Sequence, residues 1–137
     1  MENRLLHENP ATGIKPQKRD RPIRSTPARE QFQAILVSIR SEKRNAKRKD
    51  SADLIEFMGL AGVGNAEVGN LTWGDVDFDG GKITLFRQKT RRGFQVPLYP
   101  QLNSLLERRK GESDRRPKEP VFPHRTARGA LNTACER

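Results

Sequence analysis

Cysteine occurs once in this sequence, as Cys135, so no disulfide framework and no cysteine-based zinc site can be built from it. Histidine is nearly as scarce. His7 and His124 are too few to anchor a metal, and neither has a serine or cysteine in its local context to suggest a triad. No metal and no cofactor is expected. A run of apolar residues long enough to span a bilayer is missing, and the N-terminus lacks the hydrophobic segment of a signal peptide. A reducing, cytoplasmic setting is the expectation. Aromatics are 6% of the chain and hydrophobic residues 33%, which allows one small core and no more.

What the chain has in quantity is positive charge. Lysine and arginine number 27 against 17 aspartates and glutamates, a formal net charge of +10 on 137 residues. Such a balance favours a polyanionic partner, with nucleic acid ahead of an anionic membrane surface. The apolar residues concentrate between Phe32 and Leu106, while both ends are polar and rich in proline, arginine and lysine. Residues 1–25, with prolines at 10, 16 and 22, read as an extended basic arm. Residues 26–137 read as the domain.

Thr26-Pro27 is a helix-start signal, and Phe32, Ile35, Leu36 and Ile39 follow at helical spacing as one apolar stripe. A second helix is expected from about Ser51 to Ala61, so the basic run Arg40–Lys49 falls in the connection as a solvated face. After Asn65 the pattern changes. Trp73, Val76 and Phe78 lead into the turn Asp79-Gly80-Gly81, then Ile83 and Leu85 alternate with Thr84 and Phe86. Thr90–Gly93 makes another turn, and Phe94–Tyr99 a third strand, placed at an edge by Pro97. Pro100 opens a helix with Leu102, Leu105 and Leu106 on one face, Lys110–Pro120 reads as loop, and Thr126–Glu136 as a last, thinly apolar helix. The fold class is therefore α+β and mainly helical, with helices around a small three-stranded antiparallel sheet.

Five glycines between Gly59 and Gly74 invite a phosphate-loop reading, which fails. A helix rather than a strand precedes Gly62, Glu67 fills the sixth position of the fingerprint, and no Gly-Lys-Ser/Thr follows. Gly62 reads instead as a helix C-terminal residue, with Asn65 starting a short new helical turn. Asp75, Asp77 and Asp79 alternate as strand and turn residues do, without need of a cation.

The order helix, G-x-x-x-x-E-x-x-x-L-x-W-x-D-V-D, strand pair ending Gln88-Lys89-Thr90, then Val96-Pro97-Leu98 resembles the catalytic domain of the tyrosine recombinases, or phage integrases. Glu67, Leu71, Trp73 and Asp75 stand at the spacing of that family's first box, and Lys89 matches its hairpin lysine. Asn9-Pro10 and the basic stretch into Thr26 resemble the junction before the catalytic domain, so the likeness runs from about Asn9 to Asn132. The resemblance implies DNA breaking and rejoining through a phosphotyrosine intermediate. Two arginines and a histidine or lysine hold the scissile phosphate, a lysine acts as general acid, and a tyrosine attacks.

Carried over residue by residue, most of that set is missing. The first arginine stands three residues before the box glutamate, where this chain has Gly64. His124 and Arg128 are spaced one residue too far for an H-x-x-R box, and the only tyrosine, Tyr99, lies far upstream of the nucleophile's place and reads as a strand-end packing residue. Lys89 alone matches a catalytic position. The expectation is a truncated, degenerate relative that binds double-stranded DNA without cleaving it, cytoplasmic and nucleoid-associated. Its first candidate contacts are Arg87, Lys89, Arg91 and Arg92; Lys43, Arg44, Lys47 and Arg48, with Arg40 and Lys49, are the second group. Two alternatives stand beside it: a split or truncated module completed by its missing half, or a regulatory partner of an intact recombinase. No membrane partner is expected.

Overall fold

The computed structural model describes residues 12–14, 25–112 and 116–136. The basic arm expected at residues 1–25 lies almost wholly outside them. Among the described residues five α-helices and one sheet follow in chain order: α1 (Arg29–Ser41), α2 (Arg48–Ala61), α3 (Asn65–Val68), β1 (Val76–Asp77), β2 (Lys82–Arg87), β3 (Arg92–Pro97), α4 (Pro100–Glu112) and α5 (Arg128–Cys135). The sheet is antiparallel in the order β1-β2-β3, which confirms the α+β, mainly helical class and leaves β3 on an edge as Pro97 requires. Among the described residues no helix is long and apolar enough to cross a membrane.

The expected stripe on α1 is real, with Leu36 and Ile39 buried against α2 and α5. Its start differs. The N-cap is Ala28, whose free N–H donates to Gln31 Oε1 at 2.8 Å, so Thr26 and Pro27 stay outside the helix. The basic connection is also shorter than the sequence suggested. Arg40 belongs to α1, and Arg48 and Lys49 form the first turn of α2, leaving only residues 42–47 between the helices. Asp50 and Asp53, on the face of α2 that meets arginines from α1 and α4, draw the helix start back by three residues.

Helix α2 ends at Gly62, which sits at φ +66°, a left-handed conformation that costs a side-chain-bearing residue about 1–2 kcal/mol. Its N–H and that of Val63 both donate to Met58 O, closing the helix and turning the chain into α3. Leu54 and Phe57 of α2 then meet Ile83 and Leu85 of the sheet and Leu102, Leu105 and Leu106 of α4 in one core. Phe57 is fully buried and its ring lies 5.2 Å from that of Phe122.

The first strand is only two residues long, because Trp73–Asp75 forms a 3₁₀ turn rather than extended chain. Asp75 Oδ2 accepts from the N–H and hydroxyl of Thr72 at 2.9 and 2.7 Å and so caps that turn. Beyond α4, which continues to Glu112 instead of yielding to loop at Lys110, residues 117–121 return alongside residues 71–74. Trp73 N–H donates to Glu119 O, Gly74 N–H to Pro117 O and Val121 N–H to Leu71 O. A Cβ on Gly74 would lie 3.0 Å from Pro117 O, so any other residue would push the returning segment back by a few tenths of an ångström. Val121 and Phe122 thereby anchor in the core.

Candidate nucleic-acid interface

β2 and β3 pair in strict alternation, and the pleat sorts their side chains. Ile83 and Leu85 face the core with Val96, while Arg87, two residues further, continues the same face past the core's edge. There it meets α3. Arg87 Nε donates to Glu67 Oε1 at 3.0 Å, and its guanidinium lies over the Phe94 ring at 5.4 Å. The other oxygen of Glu67, Oε2, accepts the Gly64 N–H at 3.2 Å. Glu67's own backbone N–H, then Arg87, then Gly64 hold its carboxyl below the usual carboxylate range. The box glutamate thus ties the hairpin to the start of α3, and it holds Arg87, whose cross-strand partner Arg92 shares its face but stays exposed.

The four loop residues Gln88–Arg91 close the hairpin, with Thr90 N–H donating to Arg87 O at 3.2 Å and Arg91 N–H to Gln88 O at 3.3 Å. Arg91 sits at φ +50°, a strained position for an arginine. Lys89, Arg91 and Arg92 are exposed, and none has an ion-pair partner among the described residues. The four hairpin cations named from the sequence are therefore brought together as two kinds: Arg87 engaged, and three open at the tip.

The second group is scattered more than the sequence suggested. Lys43, Arg44 and Lys47 are exposed on the 42–47 connection, which is held by backbone donation from Arg44 to Glu42 Oε1 and from Lys47 to Asn45 Oδ1. Arg48 is half-buried at the start of α2. Arg40 is no solvated cation: it pairs with Asp53 at 3.0 Å and with Glu56. Burial opposes its charge, but hydrogen bonds to the two carboxylates outweigh that and raise its pKa.

Tyr99 is 50% exposed between β3 and α4 and does not serve as a packing residue. His124 and Arg128 stand on the segment before α5 and at its first residue. Gly64, at φ −94° and ψ 173°, has an ordinary extended backbone, and a Cβ there would meet only Glu67 Oε2 at 3.0 Å. Nothing in the local backbone demands glycine where the family places arginine.

Sequence reasoning missed Arg108 and Arg109. Arg109 is 8% exposed and joins three parts of the chain, donating to Asp50, Asp53 and the Val121 carbonyl, with its guanidinium 4.8 Å from the Phe122 ring centroid. The signal was present in the spacing. Arg109 follows Leu105 by four and Leu106 by three, which places it on the buried face of α4.

No curated protein and no solved structure matches the chain. A sequence model of the phage integrase family matches residues 26–136, spanning every helix and strand described above. The box residues Glu67, Leu71, Trp73 and Asp75 and the hairpin lysine all fall within that match. By this match the chain belongs to the phage integrase family, the tyrosine recombinases.

Proposed function

We propose that this chain binds duplex DNA through the β2–β3 hairpin and does not by itself break strands. One observation carries the binding half: in a phage integrase relative, Lys89, Arg91 and Arg92 project from one exposed turn without carboxylate partners. Three such cations suit backbone phosphates, which attract charge without reading sequence, so binding is weakly specific and steeply salt-dependent. Glu67 and Arg87 act beneath them as the strut that fixes the hairpin.

The inactive half rests on the residues themselves. Gly64 supplies no charge where the family resemblance calls for a phosphate-binding arginine, and removing one such transition-state cation typically costs several kcal/mol. Tyr99 is the single tyrosine of these 137 residues and lies in the connection to α4, so the covalent path has no nucleophile at the family's position. Lys89 remains, as a contact rather than a proton donor to a reaction.

Two measurements test the reading. Anisotropy titration of a labelled duplex at two salt concentrations should show binding that weakens sharply with salt; no binding at low salt refutes it. Incubation with supercoiled plasmid should leave the topology unchanged, and relaxed product refutes inactivity. Relaxation only on adding a second chain that carries the H-x-x-R box and tyrosine would favour the split-module alternative. Capture of an intact recombinase that survives nuclease treatment would favour the regulatory one.

A further inference from the structure

A cavity of about 390 Å³ opens where α1, α2 and α4 meet, lined by Arg40, Arg48, Lys49, Asp53 and Arg108. Four cations face one carboxylate, and that carboxylate is already covered. Asp53 Oδ1 accepts from Arg40 at 3.0 Å and Arg108 at 2.8 Å, while Oδ2 accepts from Arg109 at 3.1 Å. Arg40, Arg108 and Arg109 balance Asp50, Asp53 and Glu56 in charge, and Arg48 has no ion-pair partner among the described residues.

The arginines of this cluster differ in how they are used. Arg109 engages all three of its nitrogens, Nε with Val121 O and both Nη atoms with Asp50, as a purely structural arginine would. Arg40 and Arg108 each bond through Nη2 alone, to the same oxygens of Asp53 and Glu56. Those shared acceptors hold the two guanidiniums side by side, and Nε and Nη1 of each are left without an acceptor among the described residues. Paired guanidinium edges beside a further arginine match the several oxygens of a tetrahedral oxyanion.

From this arrangement we infer that the α1–α2–α4 junction is a phosphate-binding site, distinct from the hairpin. Arg40 and Arg108 supply the forked donors, fixed by Asp53 and Glu56, and Arg48 supplies the uncompensated charge. The phosphate is either one of the backbone phosphates of a nucleic acid or that of a free phosphate compound.

The test uses the full chain and inorganic pyrophosphate, followed by calorimetry and by the arginine Nε–H signals in nuclear magnetic resonance. Saturable binding is expected, weakened roughly tenfold by Arg48→Gln and by Arg108→Gln, the loss expected for one charge-assisted hydrogen bond. Arg108→Gln leaves Asp53 paired with Arg40 and Arg109, so the variant retains its fold, and Arg48→Gln breaks no ion pair at all. Lys118→Gln, which removes equal charge from an exposed loop, should bind like the parent. Absence of saturable binding, or equal affinity across all the variants, overturns the proposal. A matching loss of duplex affinity, with pyrophosphate displacing DNA, identifies the occupant as backbone phosphate. Unchanged duplex affinity beside weakened pyrophosphate binding identifies it as a free phosphate compound. A chain that takes up pyrophosphate but ignores duplex refutes the hairpin reading and leaves this site standing.

Discussion

Arg91→Gly separates charge from folding in a way that an alanine scan of the hairpin cannot. Arg91 sits at φ +50°, so glycine relieves the turn of roughly 1 kcal/mol of strain while deleting one cation. Glycine's greater freedom in the unfolded chain offsets part of this gain, so stability should stay within about 1 kcal/mol of the parent. If Arg91, Lys89 and Arg92 each neutralise one phosphate, each adds about 0.9 to the slope of log affinity against log salt, and the triple variant loses roughly 2.7. Raising salt from about 50 to about 200 mM then weakens the parent by roughly fortyfold more than the triple variant, at about 3.5-fold for each contact. Arg87→Ala should behave differently. Its Nε is held by Glu67 and its guanidinium lies over Phe94, so it should lower the hairpin's stability while leaving most of the salt slope. Anisotropy titrations over a salt series, with thermal melts beside them, read both quantities. A parental slope in the triple variant, or an Arg87→Ala slope lowered as far as that of Arg91→Gly, refutes the sorting of hairpin cations into strut and contact.

Asp53→Ala should cost about 3–5 kcal/mol in urea unfolding, because it strips a buried carboxylate from three arginines, of which Arg109 is itself buried. Gly62→Ala should cost about 1 kcal/mol or more in the same assay, from the left-handed conformation at the end of α2. Gly64→Arg should fold within about 0.5 kcal/mol of the parent, since its backbone is ordinary, and should bind duplex more tightly without relaxing plasmid. Glu67 titrates below its ordinary value in the folded chain, so its stabilisation is complete above the unfolded carboxylate pKa and is lost as pH falls through the lower folded one. Arg87→Ala removes one of its anchors, and a carbon-detected titration of Glu67 should then move upward.

The parts of the fold that were legible are those where one local rule acts alone. Gly62 as a helix end, Asn65 as a helical turn, the hairpin and the leucine face of α4 follow from backbone freedom or from periodicity. The errors fall where a distant partner decides. The start of α2 moved back to Arg48 because Asp50 and Asp53 meet arginines 59 and 55 residues away on α4. Trp73–Asp75 became a 3₁₀ turn instead of strand because its backbone pairs with residues 117–120, and no local pattern announces that return.

For the candidate site, residue type was readable and availability was not. A net charge of +10 says that cations outnumber carboxylates, but not which are spent. Asp53 and Glu67 make that division. Asp53, 6% exposed in its side chain, gathers Arg40, Arg108 and the buried Arg109 around itself, while Glu67 holds Arg87 through its Nε. Open cations include Lys89, Arg91 and Arg92 at the tip, Lys43, Arg44 and Lys47 on the 42–47 connection and Arg48 at the junction, none with an ion pair among the described residues. Long-range attraction depends on net charge, and all 27 basic residues contribute to it. Phosphate contact requires donors that are not already satisfied, so the open cations, and Arg40 and Arg108 through their unused Nε and Nη1, can turn that attraction into a bound geometry. The same chain with Asp53 and Glu67 replaced by neutral residues would carry more net positive charge and yet lose the strut and the paired guanidiniums that present it.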